Sequence, residues 1–289
     1  MHAFEYAAPQ SLQEAIALLS EANGEARPLA GGTDLITQMR ENRRSLSLVV
    51  DVKKIPELNV LSYNGSGLHI GAAVSCTKVV SFEPVSVHYP ALAEACALVG
   101  SYQIQNRAAL GGNFCNAAPS ADAVPPALSY GARLLLEGPN GRRELAAEDF
   151  FSGPGQTVLT KGEVLVEIIL PVPPSNSSAA YLRFIPREEM DIAVAGVGSF
   201  VQLSANKQTC EQARITVAAV APTPVRAKKA EAFLAGKALD ITTITQAGEI
   251  ASQAASPISD VRGSAAYRIE LVKVLTRRTL TKALERIKG

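Results

Sequence analysis

Two short stretches combine bare backbone with small polar side chains, a combination suited to binding rather than to acid–base chemistry. One is "LAGGTDLI", with Leu29, Ala30, Gly31, Gly32, Thr33 and Asp34. The other is "LGGNFCNAAPSAD", with Leu110, Gly111, Gly112, Asn113, Asn116 and Asp122. Paired glycines permit φ > 0 and let a ligand approach the backbone closely. Successive uncovered N–H groups can form a nest for phosphate oxygens. Thr33, Asn113 and Asn116 can add side-chain hydrogen bonds. Taken alone, either Gly-Gly reads as a tight turn. Two such loops, each led in by an apolar segment and followed by small polar residues, suit a diphosphate held between two lobes. Neither stretch matches G-x-G-x-x-G or G-x-x-x-x-G-K-[ST]. Asp122 reads equally as a helix cap or as a carboxylate accepting from a ribose or a ring edge.

Other chemistries have little support. The four cysteines, Cys76, Cys96, Cys115 and Cys210, contain no CxxC pair and match no zinc or iron–sulfur spacing. They read as reduced thiols. His2, His69 and His88 are scattered, which argues against a His-based metal site or a Ser-His-Asp triad. No catalytic residue and no metal ligand is expected, so a cofactor would carry any reaction.

With 289 residues, of which 47% are hydrophobic, the chain can bury a sizeable core. Lys plus Arg number 28 and Asp plus Glu 27. That balance disfavours a nucleic-acid or acidic-membrane binder. "MHAFEYAAPQ" has no basic start followed by an apolar run, so no signal peptide is expected, nor any membrane span. The expected location is the cytoplasm.

The elements that must position the two loops can be read in outline. Ser11-Leu12-Gln13-Glu14 is a capping box opening an amphipathic helix to about Leu19, with Gly24 near its end. Pro28-Leu29-Ala30 reads as a buried strand entering the first glycine loop, with a helix from about Leu35 and a strand over 46–52. "LNVLSYNGSGLHIGAAVS" is a hairpin around Asn64-Gly65, and "GARLLLEGPNGRRELA" another around Pro139-Asn140-Gly141. A helix over 91–98 precedes the second glycine stretch. "GEVLVEIILP" is a strand ended by Pro171. "PVPPSNSS" is the best domain boundary. Three strands and two or three helices follow, the last helix with Leu271, Val274, Leu275, Leu284 and Ile287 on one face. The class is mixed α+β.

"LAGGTDLI", "QIQNRAALGGNFCNAAPSAD", "GEVLVEIILP", "REEMDIAVAG" and "VAPTPVRAKKAEAFLAG", in that order, resemble the FAD-binding medium subunit of molybdenum hydroxylases, the group of bacterial xanthine dehydrogenases and carbon monoxide dehydrogenase. The resemblance covers nearly the whole chain. It implies the vanillyl-alcohol-oxidase-type (PCMH-type) FAD-binding fold: two α+β subdomains, residues 1–55 and 56–174, plus a C-terminal α+β domain, residues 175–289. By resemblance, residues 29–34 and 110–113 hold the diphosphate and adjoining ribose. Asn116 and Asp122 fall at positions binding the flavin–ribityl half or the adenosine side. The backbone at Leu165 meets the adenine, Arg183 replaces a lysine near the cofactor, and Ile192 presses against the isoalloxazine ring. In "REEMDIAVAG", Glu188 and Glu189 read as part of an ordinary charged turn.

Two departures stand out. Ala109 replaces the usual Thr or Ser before "LGGN", and Ala118 removes a hydroxyl from "NASP". Each missing hydrogen bond is worth about 0.5–1.5 kcal/mol, so weaker binding is expected rather than none. The iron–sulfur insertion of some relatives is absent.

The implied function is electron transfer through FAD bound in this chain. The implied partners are a large subunit with the molybdopterin cofactor and a small subunit with two [2Fe-2S] clusters, in a dimer of heterotrimers. The alternatives are a self-sufficient flavin oxidase of the same fold, which would need its own acid–base residue near the ring, and a non-catalytic scaffold protein with vestigial glycine loops.

Overall fold

A computed structural model describes residues 2–188 and 190–288. The first lobe is a parallel three-stranded sheet of β1 (Glu5–Ala7), β2 (Ala26–Leu29) and β3 (Leu48–Asp51), in the order β1-β3-β2. Helix α1 (Leu12–Glu21) links β1 to β2, and α2 (Leu35–Arg40) links β2 to β3. The capping box forms in part. Ser11 Oγ accepts from the amide of Glu14 at 3.2 Å, while Glu14 reaches back to the amide of Gln10, one residue earlier than the usual partner. Leu12, Ala15, Ile16 and Leu19 form the buried stripe of α1.

The second lobe is an antiparallel five-stranded sheet with a small two-stranded ribbon and six short helices. Its strands are β4 (Leu61–Asn64), β5 (Gly67–Gly71), β6 (Arg133–Gly138), β7 (Gly141–Ala146), β8 (Phe151–Gly153), β9 (Gln156–Thr157) and β10 (Val164–Leu170). The order is β4-β5-β10-β6-β7, with β8 and β9 forming the ribbon. The helices are α3 (Cys76–Ser81), α4 (Glu83–His88), α5 (Pro90–Ala97), α6 (Tyr102–Gln105), α7 (Leu110–Asn116) and α8 (Val124–Tyr130). Both expected hairpins form, although the first turn is centred one residue later, on Gly65-Ser66, with Gly67 at φ +124°.

The C-terminal domain packs a four-stranded antiparallel sheet against helices. It contains β11 (Ser177–Phe184), β12 (Ala195–Leu203), β13 (Cys210–Ala218) and β14 (Val225–Arg226), followed by α9 (Lys228–Leu234), α10 (Ile241–Ser252) and α11 (Ala265–Lys288). The α11 stripe buries Leu271, Val272, Leu275, Leu280, Ala283 and Ile287, while Val274 and Leu284 are half-buried. One continuous core runs through the first two lobes and also takes in Tyr181 and Phe200 of the C-terminal domain. A second core lies between β11–β13 and α9–α11.

One carboxylate ties the C-terminal domain to the second lobe. Glu94 on α5 accepts from Lys282 Nζ at 2.6 Å, from Arg286, and from the amide of Tyr181 at 3.0 Å. Burial alone would raise its pKa. The bonds from Arg286, Lys282 and the Tyr181 amide outweigh that and hold it below the ordinary 4.5. The folded chain therefore binds this proton more weakly than the unfolded chain. The stabilisation is fully present above the unfolded pKa and is lost as pH falls through the folded one. We expect Glu94→Gln to cost about 1–3 kcal/mol near neutral pH. The cost should shrink in acid, because the wild-type carboxyl is then protonated too. Denaturant unfolding of both proteins across that range checks it, and a pH-independent difference would contradict it.

Candidate functional site

A cleft of about 630 Å³ opens between the first two lobes. One wall comes from the end of β2 and the turn into α2. The other comes from the start of α7, the β8–β9 ribbon and the beginning of β10. Of the residues singled out in the sequence, Leu29, Ala30, Gly31, Gly32, Thr33, Asp34, Gly111, Gly112, Asn113, Asn116 and Leu165 line this one cleft. Leu110 is fully buried behind it.

The two glycine pairs use different geometry. In the first, Gly32 has φ +79°, a left-handed conformation that L side chains rarely adopt. The Gly32 carbonyl then accepts from the amide of Ile36 at 3.1 Å, so Gly32 starts the turn of α2. The amides of the following residues precede the helical ladder and have no partner within it. Asp34 stands at the rim, and the surrounding cleft desolvates its carboxyl and raises its pKa.

The second pair corrects the sequence reading. Leu110-Gly111-Gly112-Asn113 is the first turn of α7, not a loop, and neither of its glycines has positive φ. Glycine is a poor helix former, but tertiary contacts decide here. The Leu110 amide donates to Val74 at 3.1 Å, Ser75 bridges Ala109, and Leu110 and Phe114, one turn apart, are both fully buried. Ala109 is the N-cap and offers no side-chain bond. A Ser or Thr there would accept from an amide two or three residues on. Alanine leaves the amides of Gly111 and Gly112 uncapped beside the cleft, so this departure also frees donors.

Three of the four glycines serve close approach or backbone shape. A Cβ on Gly31 would lie 2.2 Å from the Arg107 carbonyl oxygen, and one on Gly111 would lie 2.5 Å from the Cβ and carbonyl oxygen of Ala72. A Cβ on Gly112 would meet only Ala109, at 4.0 Å. The space in front of Gly112 is the cleft itself.

Asp122, Arg183 and Ile192 are not on the cleft wall. Asp122 is not a helix cap either, since Ala123 occupies the N-cap of α8. Its carboxylate is buried at the junction with the C-terminal domain. It accepts from Tyr181 Oη at 2.7 Å and forms an ion pair with Arg183. Burial raises its pKa to about 6, against the opposing pulls of Arg183 and Tyr181. Asn113 Oδ1 accepts from the amide of Ala123 at 3.3 Å, which connects this buried pair to the cleft. Ile192 is about half exposed. Glu189 of the charged turn lies outside the described residues.

Several cleft residues were not singled out in the sequence, including Arg27, Gln38, Arg44, Thr157 and Lys161. Arg27, Gln38 and Thr157 lie on short elements and Arg44 and Lys161 in loops, where solvated side chains are the ordinary expectation. The histidines also hold a surprise. Ser66 Oγ lies 2.7 Å from His69 Nε2, and His69 Nδ1 lies 2.8 Å from Glu167. This network links the β4–β5 turn, where Ser66 Oγ also donates to Asn64 Oδ1, to Glu167 on β10.

The glycine geometry separates folding from binding. Gly111→Ala should cost roughly 1–3 kcal/mol by overpacking against Ala72. Gly112→Val should fold, yet its side chain would fill the cleft and abolish binding of a dinucleotide. Thermal unfolding and a flavin titration of both variants check this. Full FAD occupancy in Gly112→Val would show that the second pair only shapes the helix.

Known proteins resemble this chain over nearly its whole length. The FAD binding domain in molybdopterin dehydrogenase matches residues 2–173, and the CO dehydrogenase flavoprotein C-terminal domain matches residues 180–283. The carbon monoxide dehydrogenase medium chain of Hydrogenophaga pseudoflava is 34% identical over 283 residues, covering 98% of each chain. A putative xanthine dehydrogenase FAD-binding subunit of Escherichia coli is 32% identical, covering 95% of this chain and 94% of that one. A solved carbon monoxide dehydrogenase from Hydrogenophaga pseudoflava, lacking the Mo-pyranopterin moiety of its cofactor, superposes with a TM-score of 0.94 at 35% identity, over 99% of this chain and 98% of that one. The fold is the PCMH-type FAD-binding fold with its C-terminal α+β domain. The chain belongs to the FAD-binding subunits of the molybdenum hydroxylases, the oxidoreductase family of carbon monoxide dehydrogenase and xanthine dehydrogenase.

Proposed function

We propose that this chain is the electron-transfer flavoprotein of a three-subunit cytoplasmic molybdenum hydroxylase. A large molybdopterin-binding subunit would hydroxylate the organic substrate. A small subunit with two [2Fe-2S] clusters would pass the electrons here, and an external acceptor would collect them. The complex would be a dimer of heterotrimers. Bound FAD supplies a centre that takes two electrons and releases them one or two at a time.

The observation that carries this reading is the cleft between the lobes, with uncapped amides on both walls and an open position in front of Gly112. The residues fit a dinucleotide. Residues 29–34 and 110–113 would hold the diphosphate and ribose on neutral donors. The backbone at Leu165 would receive the adenine. Asn116 would bind beside the diphosphate, and Asp122, Arg183 and Ile192 would belong to the flavin end. The division into residues 1–55, 56–174 and 175–289 assigns the cleft to the first two units. Apolar side chains at Ile192, Ile258, Val261 and Tyr267 are exposed on the third, and such surface is commonly covered by a partner. No helix among the described residues is long and apolar enough to cross a membrane.

Purification under native conditions tests the assembly. The chain should co-purify with a molybdenum-containing subunit and an iron–sulfur subunit, and acid precipitation should leave all the yellow colour in the supernatant. A lone chain turning over an organic substrate would replace this reading with a self-sufficient oxidase, and colour in the pellet would show a covalent link. Ile192→Asp tests the flavin end. A carboxylate beside a ring that gains electrons disfavours the reduced form, so a redox titration should give a lower potential at full FAD occupancy. An unchanged potential would place Ile192 away from the ring.

A further inference from the structure

A chain of hydrogen bonds runs along the wall of the cleft and fixes the polarity of one of its side chains. Glu25 pairs with Arg44, and Arg44 Nε donates to Gln38 Oε1 at 3.1 Å. Gln38 Nε2 donates to Asn116 Oδ1 at 2.9 Å, joining α2 of the first lobe to α7 of the second across 78 residues of sequence. All four residues line the cleft.

The direction of the chain follows from its first member. A guanidinium has five donors and no acceptor. The amide group facing Arg44 must therefore be the Gln38 oxygen, which commits the Gln38 nitrogen to donate onward. Asn116 must then present its oxygen to Gln38, and its Nδ2 group is left to face away. Among the described residues, no hydrogen bond takes the Asn116 Nδ2 protons. Glu25 holds the charge of Arg44 in place and also accepts from Arg27 Nε at 3.1 Å.

We propose that Gln38, backed by Arg44 and Glu25, is a positioning residue that sets Asn116 as a hydrogen-bond donor to the bound dinucleotide. The recognised atom is an acceptor: a diphosphate oxygen, a sugar oxygen or a ring carbonyl. This rests on the reading of the cleft as an FAD site, and it assigns to Gln38 a part in selecting the ligand through Asn116.

Nearly isosteric substitutions separate polarity from packing. Gln38→Glu can only accept, so Asn116 must turn its nitrogen toward position 38 and its oxygen toward the ligand. Gln38→Met removes the partner and leaves Asn116 free to choose. The test uses the full chain, stripped of flavin and titrated with FAD and, separately, with ADP. Gln38→Glu should weaken FAD binding about tenfold, the scale of one lost hydrogen bond with a repelled acceptor. Gln38→Met should weaken it less. In an Asn116→Ala background, Gln38→Glu should have almost no further effect. A parallel loss for ADP would locate the acceptor in the ADP half of the dinucleotide, and a loss for FAD alone would locate it in the flavin half. Equal effects of Gln38→Glu with and without Asn116, or no effect while wild type binds FAD normally, would overturn the relay and leave the FAD reading intact. Failure of the wild type to bind FAD would overturn both. Melting of the apo-proteins separates a binding loss from unfolding.

Discussion

The cleft depends on two places where backbone meets backbone with no room for a side chain between. Gly31 lies against the Arg107 carbonyl, and Gly111 lies against Ala72. The first contact brings the turn after β2 onto the segment entering α7. The second presses the start of α7 onto the end of the β4–β5 hairpin. Together they set the distance between the two sets of uncapped amides. A Cβ on Gly31 would push the two lobes apart, and one on Gly111 would lift α7 off the β4–β5 hairpin within the second lobe, before either changed any ligand contact. Gly112 and Gly32 sit beside these contacts but serve other ends, an open space and a left-handed turn.

The C-terminal domain contributes through two buried carboxylates with opposite tendencies. Glu94 is held ionised by three donors, two of them cationic. Asp122 has one cation and one hydroxyl, and burial wins, so its pKa rises to about 6. By linkage, the stability tied to Asp122 is fully present below its unfolded pKa of 3.8 and declines as pH rises through about 6. Glu94 behaves in the reverse sense. The domain junction thus carries one contact that weakens in acid and one that weakens toward neutrality. The second connects to the cleft through Ala123 and Asn113.

Much of this was legible in the sequence because it rests on local chemistry. The Ser11–Glu14 cap, the Pro139-Asn140 turn and the stop at Pro171 follow from single residues. Eleven of the fifteen singled-out positions share one cleft because the glycine stretches mark it directly. The failures have one cause. Glycine propensity argues against a helix at Leu110, yet contacts from Val74, Ser75 and the buried Phe114 impose one. The three-residue β1 has no periodic signal and forms because its edge pairs with β3. Gln38 on α2 and Arg44 in the loop beyond it look like ordinary solvated side chains, and only the arrival of Asn116 from another lobe gives them direction.

That arrangement also bears on the cations that line the cleft. An arginine facing an empty, partly desolvated site would pay for its burial before any ligand arrived. Here Arg27 and Arg44 are engaged by Glu25, and Lys161 donates to the Ala22 carbonyl at 3.3 Å. Backbone amides, Thr33, Asn113 and Asn116 supply neutral donors on the cleft walls, beside Arg27, Arg44 and Lys161. Arg44, itself held by Glu25, orients Gln38 and through it Asn116.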